Sequence, residues 1–168
     1  MEGLMIKGIT TNSTESPLNA FLLKGQLPSQ PDSGFSRDLL ISQYTANRMK
    51  VSVNDSLILY FLQSEQAPRP KKIRIAGIYK TGIEQYDRLF AIADLRLIQK
   101  LNGWSSNQIG GYELFLKDPK EAENTAQNIF ELKAFPQTWE PVPITRLLPN
   151  IFDWLSLMNN TQIGRAHV

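Results

Sequence analysis

Residues 77–104, GIYKTGIEQYDRLFAIADLRLIQKLNGW, contain signals for two strands, a turn and a helix. The stretch begins with the end of an apolar strand, continues through a charged turn, and then predicts a second strand at 89–93 and a helix at 95–101. Asp94 is predicted to be the N-cap of that helix, since a short polar side chain accepts from the first free amides. Gly82 stands where a positive φ costs least.

Outward from this stretch, the first two thirds of the chain predict mostly strands. Ser42 is placed to cap a short helix, QYTANRM, between two of them. The runs LILYFL and IRIAGIY, joined by the connection QSEQAPRPKK, predict a hairpin. We therefore predict a β-rich subdomain over residues 1–107, with strands at 4–9, 38–41, 57–62, 73–79 and 89–93.

The last third of the chain predicts a smaller β-α-β subdomain over residues 108–145. After the Gly110-Gly111 break, YELFLKD predicts a strand, and Asp118-Pro119 begins a helix that ends near residue 132. WEPV is extended and predicts the second strand. A closing, stalk-proximal helix is predicted over 146–162, and 163–168 is interpreted as a cloning remnant. The predicted fold class is α+β.

Composition excludes several classes of function. The 18 Lys and Arg against 16 Asp and Glu give a formal charge of +2, too small an excess to indicate nucleic acid as the partner. The chain has no cysteine, which excludes disulfides and thiolate metal sites. No phosphate-binding loop, nucleophile elbow or zinc motif appears. The sequence therefore predicts no enzyme, no metal site and no cofactor.

Two groups of charged residues are the remaining candidates for chemistry. Glu84 and Asp87 could form an acid/base carboxylate pair, but a solvated turn whose charges keep a loop exposed is the favoured interpretation. A basic group near two prolines could contact phosphate or anionic head groups, although edge strands carry such charges simply to prevent aggregation. That group comprises Arg69, Lys71, Lys72 and Arg74.

The predicted closing helix is strongly apolar. It is too short to span a bilayer, and its apolar residues are too many for an exposed terminus. It either packs on the core or leads toward a membrane, and the candidate membrane-stalk residues are Ile151, Phe152, Trp154 and Leu155.

Five segments taken in order resemble the MacB-like periplasmic core domain of FtsX-like ABC transporter permeases, most closely the lipoprotein-releasing branch. They are EGLMIKGI, SRDLLISQYTANRMKVSVNDSLILYF, the stretch 77–104, IGGYELFLKD and IFDWLSLMNN. The resemblance covers about residues 2–160. It implies structural roles for Gly77, Gly82, Tyr86, Asp87 and Asp94: the glycines permit the turn, Tyr86 and Asp87 fix it, and Asp94 caps the helix.

The resemblance also implies location and partners. The chain would be a periplasmic domain of an inner-membrane protein, placed between the first and second transmembrane helices. A separate cytoplasmic ATPase subunit would hydrolyse ATP, a partner permease would complete the transporter, and this domain would guide a lipoprotein or other envelope substrate toward a periplasmic carrier protein. A drug or peptide exporter and a regulator of cell-wall hydrolases are the near alternatives within the family.

Two departures from the family pattern matter. The loop that can be enlarged to seize a lipoprotein carrier is short here, and its candidate partner-contact residues are Gln63, Glu65, Gln66, Pro68, Arg69 and Pro70. The family's region also begins with a βα portion before the first matched segment, so the chain is expected to be an excised piece. Its second subdomain would then lack sheet partners, and we predict that the fragment dimerises or swaps.

Two rivals from other classes remain open at this stage. One is a secreted or lipid-anchored binding domain unrelated to transport. The other is a hydrolase that uses Glu84 and Asp87. The flanking reading frame separates the first rival from the transporter, which requires one apolar helix upstream and three downstream.

Overall fold

The computed structural model describes residues 3–10, 16–61 and 70–147. The chain divides into two compact units, Met1–Gly110 and Gly111–Val168. The described part of the first unit contains both strands and helices, whereas the described part of the second contains helices but no strand. The predicted α+β class is confirmed.

The first unit is built on a mixed six-stranded sheet. The strands are β1 (Met5–Ile9), β2 (Leu22–Gly25), β3 (Asp38–Ser42), β4 (Ser56–Tyr60), β5 (Pro70–Tyr79) and β6 (Phe90–Asp94). They are arranged in the order β1-β6-β3-β5-β2, with β4 paired to β5 beside this path. β1 runs parallel to β6 and β3 parallel to β5, whereas the β3–β6, β2–β5 and β4–β5 pairs are antiparallel.

Strand β3 lies at the centre of the sheet. All five of its residues are buried, because strands pair with it on both edges and side chains cover both faces. Leu39 and Ile41 point to the larger apolar cluster, while Leu40 packs with Tyr79 and Ile92 on the opposite face. The run DLLIS is thus the continuous apolar stretch expected of a strand buried on two sides.

Strand β5 extends beyond the centre of the sheet. Its pairing with β3 begins at Arg74, so residues 70–73 pair with β4 alone among the described strands. The predicted hairpin of β4 and β5 is therefore confirmed, and β5 begins earlier than the predicted residue 73. The result is one ten-residue strand that leads from an exposed hairpin into the core, with a register shift against β3 between Leu39 and Leu40.

The described residues of the first unit contain a 3₁₀ helix, Pro17–Phe21, and three α-helices: α1 (Gln43–Met49), α2 (Glu84–Leu89) and α3 (Leu95–Asn102). Ser42 accepts a hydrogen bond from the amide of Thr45 and caps α1, and Asp94 accepts from the amide of Arg96 and caps α3. Both caps agree with the sequence prediction. α3 packs on β1 and β6, where Leu97 joins the larger apolar cluster.

The charged turn predicted at residues 84–88 is instead the helix α2. The amides of Tyr86 and Asp87 both donate to the carbonyl of Ile83, which closes a first helical turn. A six-residue helix is barely stable by itself, and its hydrogen bond from the Ser42 hydroxyl to the Asp87 carbonyl supplies a contact from outside the segment. The residue pattern alone carries no sign of that contact.

The two glycines assigned to the turn have different roles. Gly82 has φ of +82° at the turn itself, as expected. Gly77 lies inside β5, so its assignment to the turn is wrong. A Cβ at Gly77 would lie 2.6 Å from the carbonyl oxygen of Gln26 and 2.9 Å from Cδ1 of Leu40. Gly77 therefore permits close packing of the chain that passes over β5.

The second unit does not form the predicted β-α-β subdomain in its described residues, 111–147. YELFLKD and WEPV are not strands, because neither meets a partner strand with which to form a ladder. The predicted helix start is present: Asp118 accepts from the amide of Lys120 and opens a 3₁₀ turn, Pro119–Glu121. Two α-helices follow, α4 (Ala122–Phe130) and α5 (Ile144–Leu147). α5 begins two residues before residue 146, where the closing helix was predicted to begin.

The packing at Gly77 generates a stability prediction. Gly77→Ala should lower the free energy of unfolding by about 1–3 kcal/mol, because its new methyl group would press on the backbone of the neighbouring segment. Gly110→Ala is the matched control, since no atom lies within 4 Å of a Cβ built there. Urea unfolding of both variants measures the difference, and equal stabilities would contradict the packing assigned to Gly77.

Candidate functional site

An ion pair between a buried carboxylate and a half-exposed guanidinium lies where the β4–β5 hairpin enters the sheet. The Nε and Nη2 atoms of Arg74 donate to Oδ1 of Asp38 at 2.9 and 2.7 Å. Oδ2 accepts from the Ser29 hydroxyl at 2.9 Å. Only 6% of the Asp38 side chain is exposed, against 48% for Arg74. Both oxygens of Asp38 are thus occupied by groups of the protein.

These contacts determine the protonation of Asp38. Burial of the carboxyl would raise its pKa, but the hydrogen bonds from Arg74, Ser29 and Ser36 together outweigh burial. The pKa of Asp38 therefore lies below its usual 3.8. A carboxylate held in its ionised form is a poor general acid near neutral pH.

A second buried carboxylate, Asp94, continues the same network. Its Oδ2 accepts from the amide of Ser36 at 2.9 Å and its Oδ1 from the amide of Arg96 at 3.0 Å. The Arg96 guanidinium also binds Asp94 and donates to the carbonyl of Pro31 at 2.8 Å. Ser36 connects Asp94 to the backbone of Asp38, because its amide donates to Asp94 and its hydroxyl accepts from the backbone amide of Asp38.

We call this network the polar clamp. It fastens the segment between β2 and β3 to the start of β3, to β5 and to the start of α3. Its members are Ser29, Ser36, Asp38, Arg74, Asp94 and Arg96.

The third buried carboxylate, Asp87, fixes the turn between β5 and α2. Oδ1 of Asp87 accepts from the amide and the hydroxyl of Thr81 at 3.0 and 2.9 Å, and Oδ2 lies 3.4 Å from the amide of Gly82. Tyr86 stacks on Phe90, with ring centroids 5.1 Å apart. The prediction that the charges of this turn are solvated is wrong for Asp87, whose residue is only 7% exposed.

The carboxylates of Glu84 and Asp87 have different surroundings. Glu84 is exposed and pairs with Arg88 one turn along α2 at 2.5 Å. Both oxygens of Asp87 already have donors from the preceding turn. Among the described residues, no buried side-chain nitrogen or oxygen lacks a hydrogen-bond partner. Asp87 is therefore arranged to hold a loop.

Tyr79 is the other buried titratable group beside this turn. Its hydroxyl donates to the carbonyl of Phe90 at 2.8 Å. Burial, and to a smaller extent the charge of Asp87, raises the pKa of the Tyr79 hydroxyl. The phenol thus stays neutral and acts as a hydrogen-bond donor between β5 and β6.

The hairpin presents an apolar and basic surface that we call the hairpin face: Ile58, Tyr60, Pro70 and Lys72. Ile58 lies opposite Lys72 and Tyr60 opposite Pro70 in the β4–β5 ladder. Ile58 is 63% exposed and Tyr60 is 56% exposed. This combination of exposed aliphatic, aromatic and basic side chains is typical of protein contact surfaces.

The predicted basic group divides on this hairpin. Lys71 and Lys72 are exposed, whereas Arg74 is engaged by Asp38. Arg69 lies outside the described residues, as do the partner-contact candidates Gln63, Glu65, Gln66 and Pro68. Of that set, only Pro70 is described, and it is exposed at the start of β5.

The predicted membrane-stalk residues also lie outside the described part of the chain: Ile151, Phe152, Trp154 and Leu155. No described helix is long and apolar enough to cross a bilayer. Within the described ranges, no group of three or more His, Asp or Glu side chains is placed to hold a metal ion.

Sequence reasoning missed the serines of the polar clamp and Gln99. The buried side-chain amide of Gln99 donates to the carbonyls of Ser106 and Gln108 and so fixes the chain after α3. Ser29 and Ser36 lie in a loop rich in Pro, Ser and Gly, which predicts only a turn. Asp38 could have indicated these contacts. An acidic residue at the start of a buried apolar strand needs hydrogen-bond donors from elsewhere in the chain.

No protein-family model matches the chain, and no curated protein matches it significantly.

The ion pair at the hairpin base predicts a pH-dependent stability. Asp38→Asn should lower the free energy of unfolding by about 1–2 kcal/mol at pH 7, since Arg74 loses its charged partner. The folded pKa of Asp38 lies below 3.8, so its contribution is present above 3.8 and is lost as the pH falls through the folded pKa.

The stability gap between the native chain and Asp38→Asn should therefore narrow as the pH falls below 3.8. Urea unfolding between pH 7 and 3 measures this gap. Asp32→Asn is the control, because Asp32 is exposed and its loss should change stability by less than about 0.5 kcal/mol. A gap that is independent of pH would contradict the ion pair.

The Asp87 contacts predict an unequal effect of two carboxylate substitutions. Asp87→Ala should cost about 1–3 kcal/mol, because the amide and hydroxyl of Thr81 lose their acceptor. Glu84→Ala should cost less than about 0.5 kcal/mol, because its ion pair is exposed. Thermal or urea unfolding tests this, and similar costs would argue against a structural role special to Asp87.

Proposed function

We propose that this chain is the periplasmic domain of an ABC transporter permease. It couples ATP-driven motion of the transmembrane part to the release or export of a lipoprotein or another envelope substrate. The ATP would be hydrolysed on a separate cytoplasmic subunit, and a partner permease would complete the transporter. The quoted resemblance from EGLMIKGI to IFDWLSLMNN supports the family, and the arrangement of the first unit supports the mechanical role.

The observation that carries the mechanical role is the continuity of β5. Its first residues, from Pro70, belong to the exposed hairpin, and its last residues, through Tyr79, lie in the core. Arg74 stands at the junction and binds Asp38. A displacement of the hairpin therefore reaches β3 directly and reaches the start of α3 through Ser36 and Asp94.

The buried carboxylates favour this role over bond chemistry. Asp38, Asp87 and Asp94 have hydrogen-bond donors from the protein on their oxygens, and these donors hold the loops around the sheet. A general acid or base has to exchange its proton with a bound substrate. Groups satisfied in this way suit a domain that keeps its form while it is moved.

On this proposal the hairpin face contacts the substrate or its carrier. Ile58 and Tyr60 offer apolar area, and Lys72 offers a positive charge beside them. The connection at 62–69 is short, so the contact would depend on the strands of the hairpin. A carrier that fits this surface presents an apolar patch with acidic residues at its border.

A paired substitution in the full-length permease tests the proposal. In cells that depend on this permease, Ile58→Ser with Tyr60→Ser should lower lipoprotein release about 10-fold, which corresponds to about 1.4 kcal/mol of lost binding. The assay measures the fraction of a reporter lipoprotein that stays in the inner membrane. Met5→Ser is the control, since Met5 is 54% exposed on the far edge of the sheet.

Both variants should unfold in urea like the native 168-residue chain, because the substituted side chains are exposed. Normal lipoprotein release in cells that contain normal amounts of the doubly substituted permease would contradict the proposed role of the hairpin face.

A further inference from the structure

Residues 112–117, YELFLK, form an exposed apolar segment in the second unit. Tyr112, Leu114 and Phe115 are 74%, 68% and 72% exposed. The backbone groups of Leu114, Phe115 and Leu116 make no hydrogen bond to any described residue. The segment contains neither Gly nor Pro, and Tyr112 and Phe115 are residue types that are enriched in strands. The segment nevertheless has no ladder among the described residues.

We propose that the segment pairs with the same segment of a second copy of this chain, antiparallel, with Phe115 opposite Phe115 of the second copy. In this register Glu113 lies opposite Lys117 of the second copy, and Leu114 lies opposite Leu116 of the second copy. The two-fold axis creates each of these pairs twice. The contact is closed, because both copies use the same edge.

Charge selects this register among the antiparallel ones. Centring the pair on Leu114 places Glu113 opposite Phe115, and centring it on Leu116 places Lys117 opposite Phe115. Only the register centred on Phe115 sets the acidic and basic residues of the segment directly opposite each other. Opposite charges that face each other across two strands stabilise the pair, and like charges destabilise it.

Charge also selects the orientation. A parallel pair in register would place Glu113 beside Glu113 and Lys117 beside Lys117, which repel. The antiparallel pair converts both repulsions into attractions. It also limits assembly to two copies through this edge, whereas an unprotected edge strand tends toward open-ended aggregation.

The two faces of the paired segment would then differ. Side chains alternate along a strand, so Tyr112, Leu114 and Leu116 share one face. The ring of Tyr112 already contacts the ring of Trp139, with centroids 5.5 Å apart. That face therefore continues onto an aromatic side chain of its own unit. Phe115 lies on the other face, between the two charged pairs.

Charge exchange in the full 168-residue chain tests the register. We expect the chain to be a dimer at about 100 μM by light scattering. Glu113→Lys should raise the dissociation constant of the dimer at least 10-fold, because both attractive pairs between residues 113 and 117 become repulsive. Glu113→Lys with Lys117→Glu restores opposite charges and should return the constant to within about 3-fold of the native value. A monomeric native chain, or a double variant as weak as the single one, would overturn the proposal.

A cysteine placed on the two-fold axis provides a second test, because the chain has no native cysteine. Residues directly opposite in an antiparallel pair have Cα atoms about 4.5–5.5 Å apart, within the range that a disulfide spans. Phe115→Cys should therefore cross-link to its own copy under mild oxidation. Leu114→Cys should not, because residue 114 of the second copy lies diagonally at about 7–8 Å.

Equal cross-linking of the two cysteine variants would contradict the register. This inference is independent of the proposed transport function, since the dimer uses residues 112–117 and the proposed contact uses the residues of the hairpin face. Ile58→Ser with Tyr60→Ser should lower lipoprotein release without changing the dissociation constant of the dimer. The two proposals can therefore fail separately.

Discussion

The first unit is organised around the hydrogen bonds that Arg74 and Ser29 donate to the ionised carboxylate of Asp38. A charge at the head of a fully buried strand is unfavourable unless donors surround it, so its partners have to be in place whenever the sheet is formed. Those partners come from the loop before β3 and from β5. Through Ser36 the same requirement extends to Asp94 and the start of α3. One buried charge thus fixes three separate parts of the chain.

This constraint relates the form of the domain to the role proposed for it. The polar clamp stands where the exposed hairpin joins the buried sheet, and the single strand β5 belongs to both. A domain that transmits motion needs a stiff connection between the surface that is touched and the body that moves. Hydrogen bonds to ionised groups are stronger than neutral ones and suit this purpose. The same bonds occupy the oxygen atoms that acid and base chemistry would need.

Local signals in the sequence predicted a large part of the first unit. Ser42 and Asp94 cap their helices because a cap depends only on a side chain and the next few amides. DLLI predicted a buried strand because continuous apolar runs need cover on both faces. The hairpin of β4 and β5 followed from two apolar strands and a short connection. Each of these elements is determined by residues close to one another in the chain.

The errors arose where distant residues decide the structure. Helix α2 receives a hydrogen bond from Ser42, and Gly77 is required by the backbone at Gln26. Neither contact can be read from neighbouring residues. YELFLKD has strand composition but acquires no ladder, because a strand exists only with its partner. The clamp serines were missed for the same reason, since their loop gains its order from carboxylates on β3 and β6.

Native-state hydrogen exchange measures most directly whether the buried carboxylates hold the loops of the first unit. The amides of Ser36 and Thr81 lie outside regular elements and donate to Asp94 and Asp87. The account predicts that both amides exchange as slowly as those of Leu40 and Ile41 in β3, through unfolding of the whole unit. Exchange of Ser36 and Thr81 at the rate of exposed loop amides would contradict it.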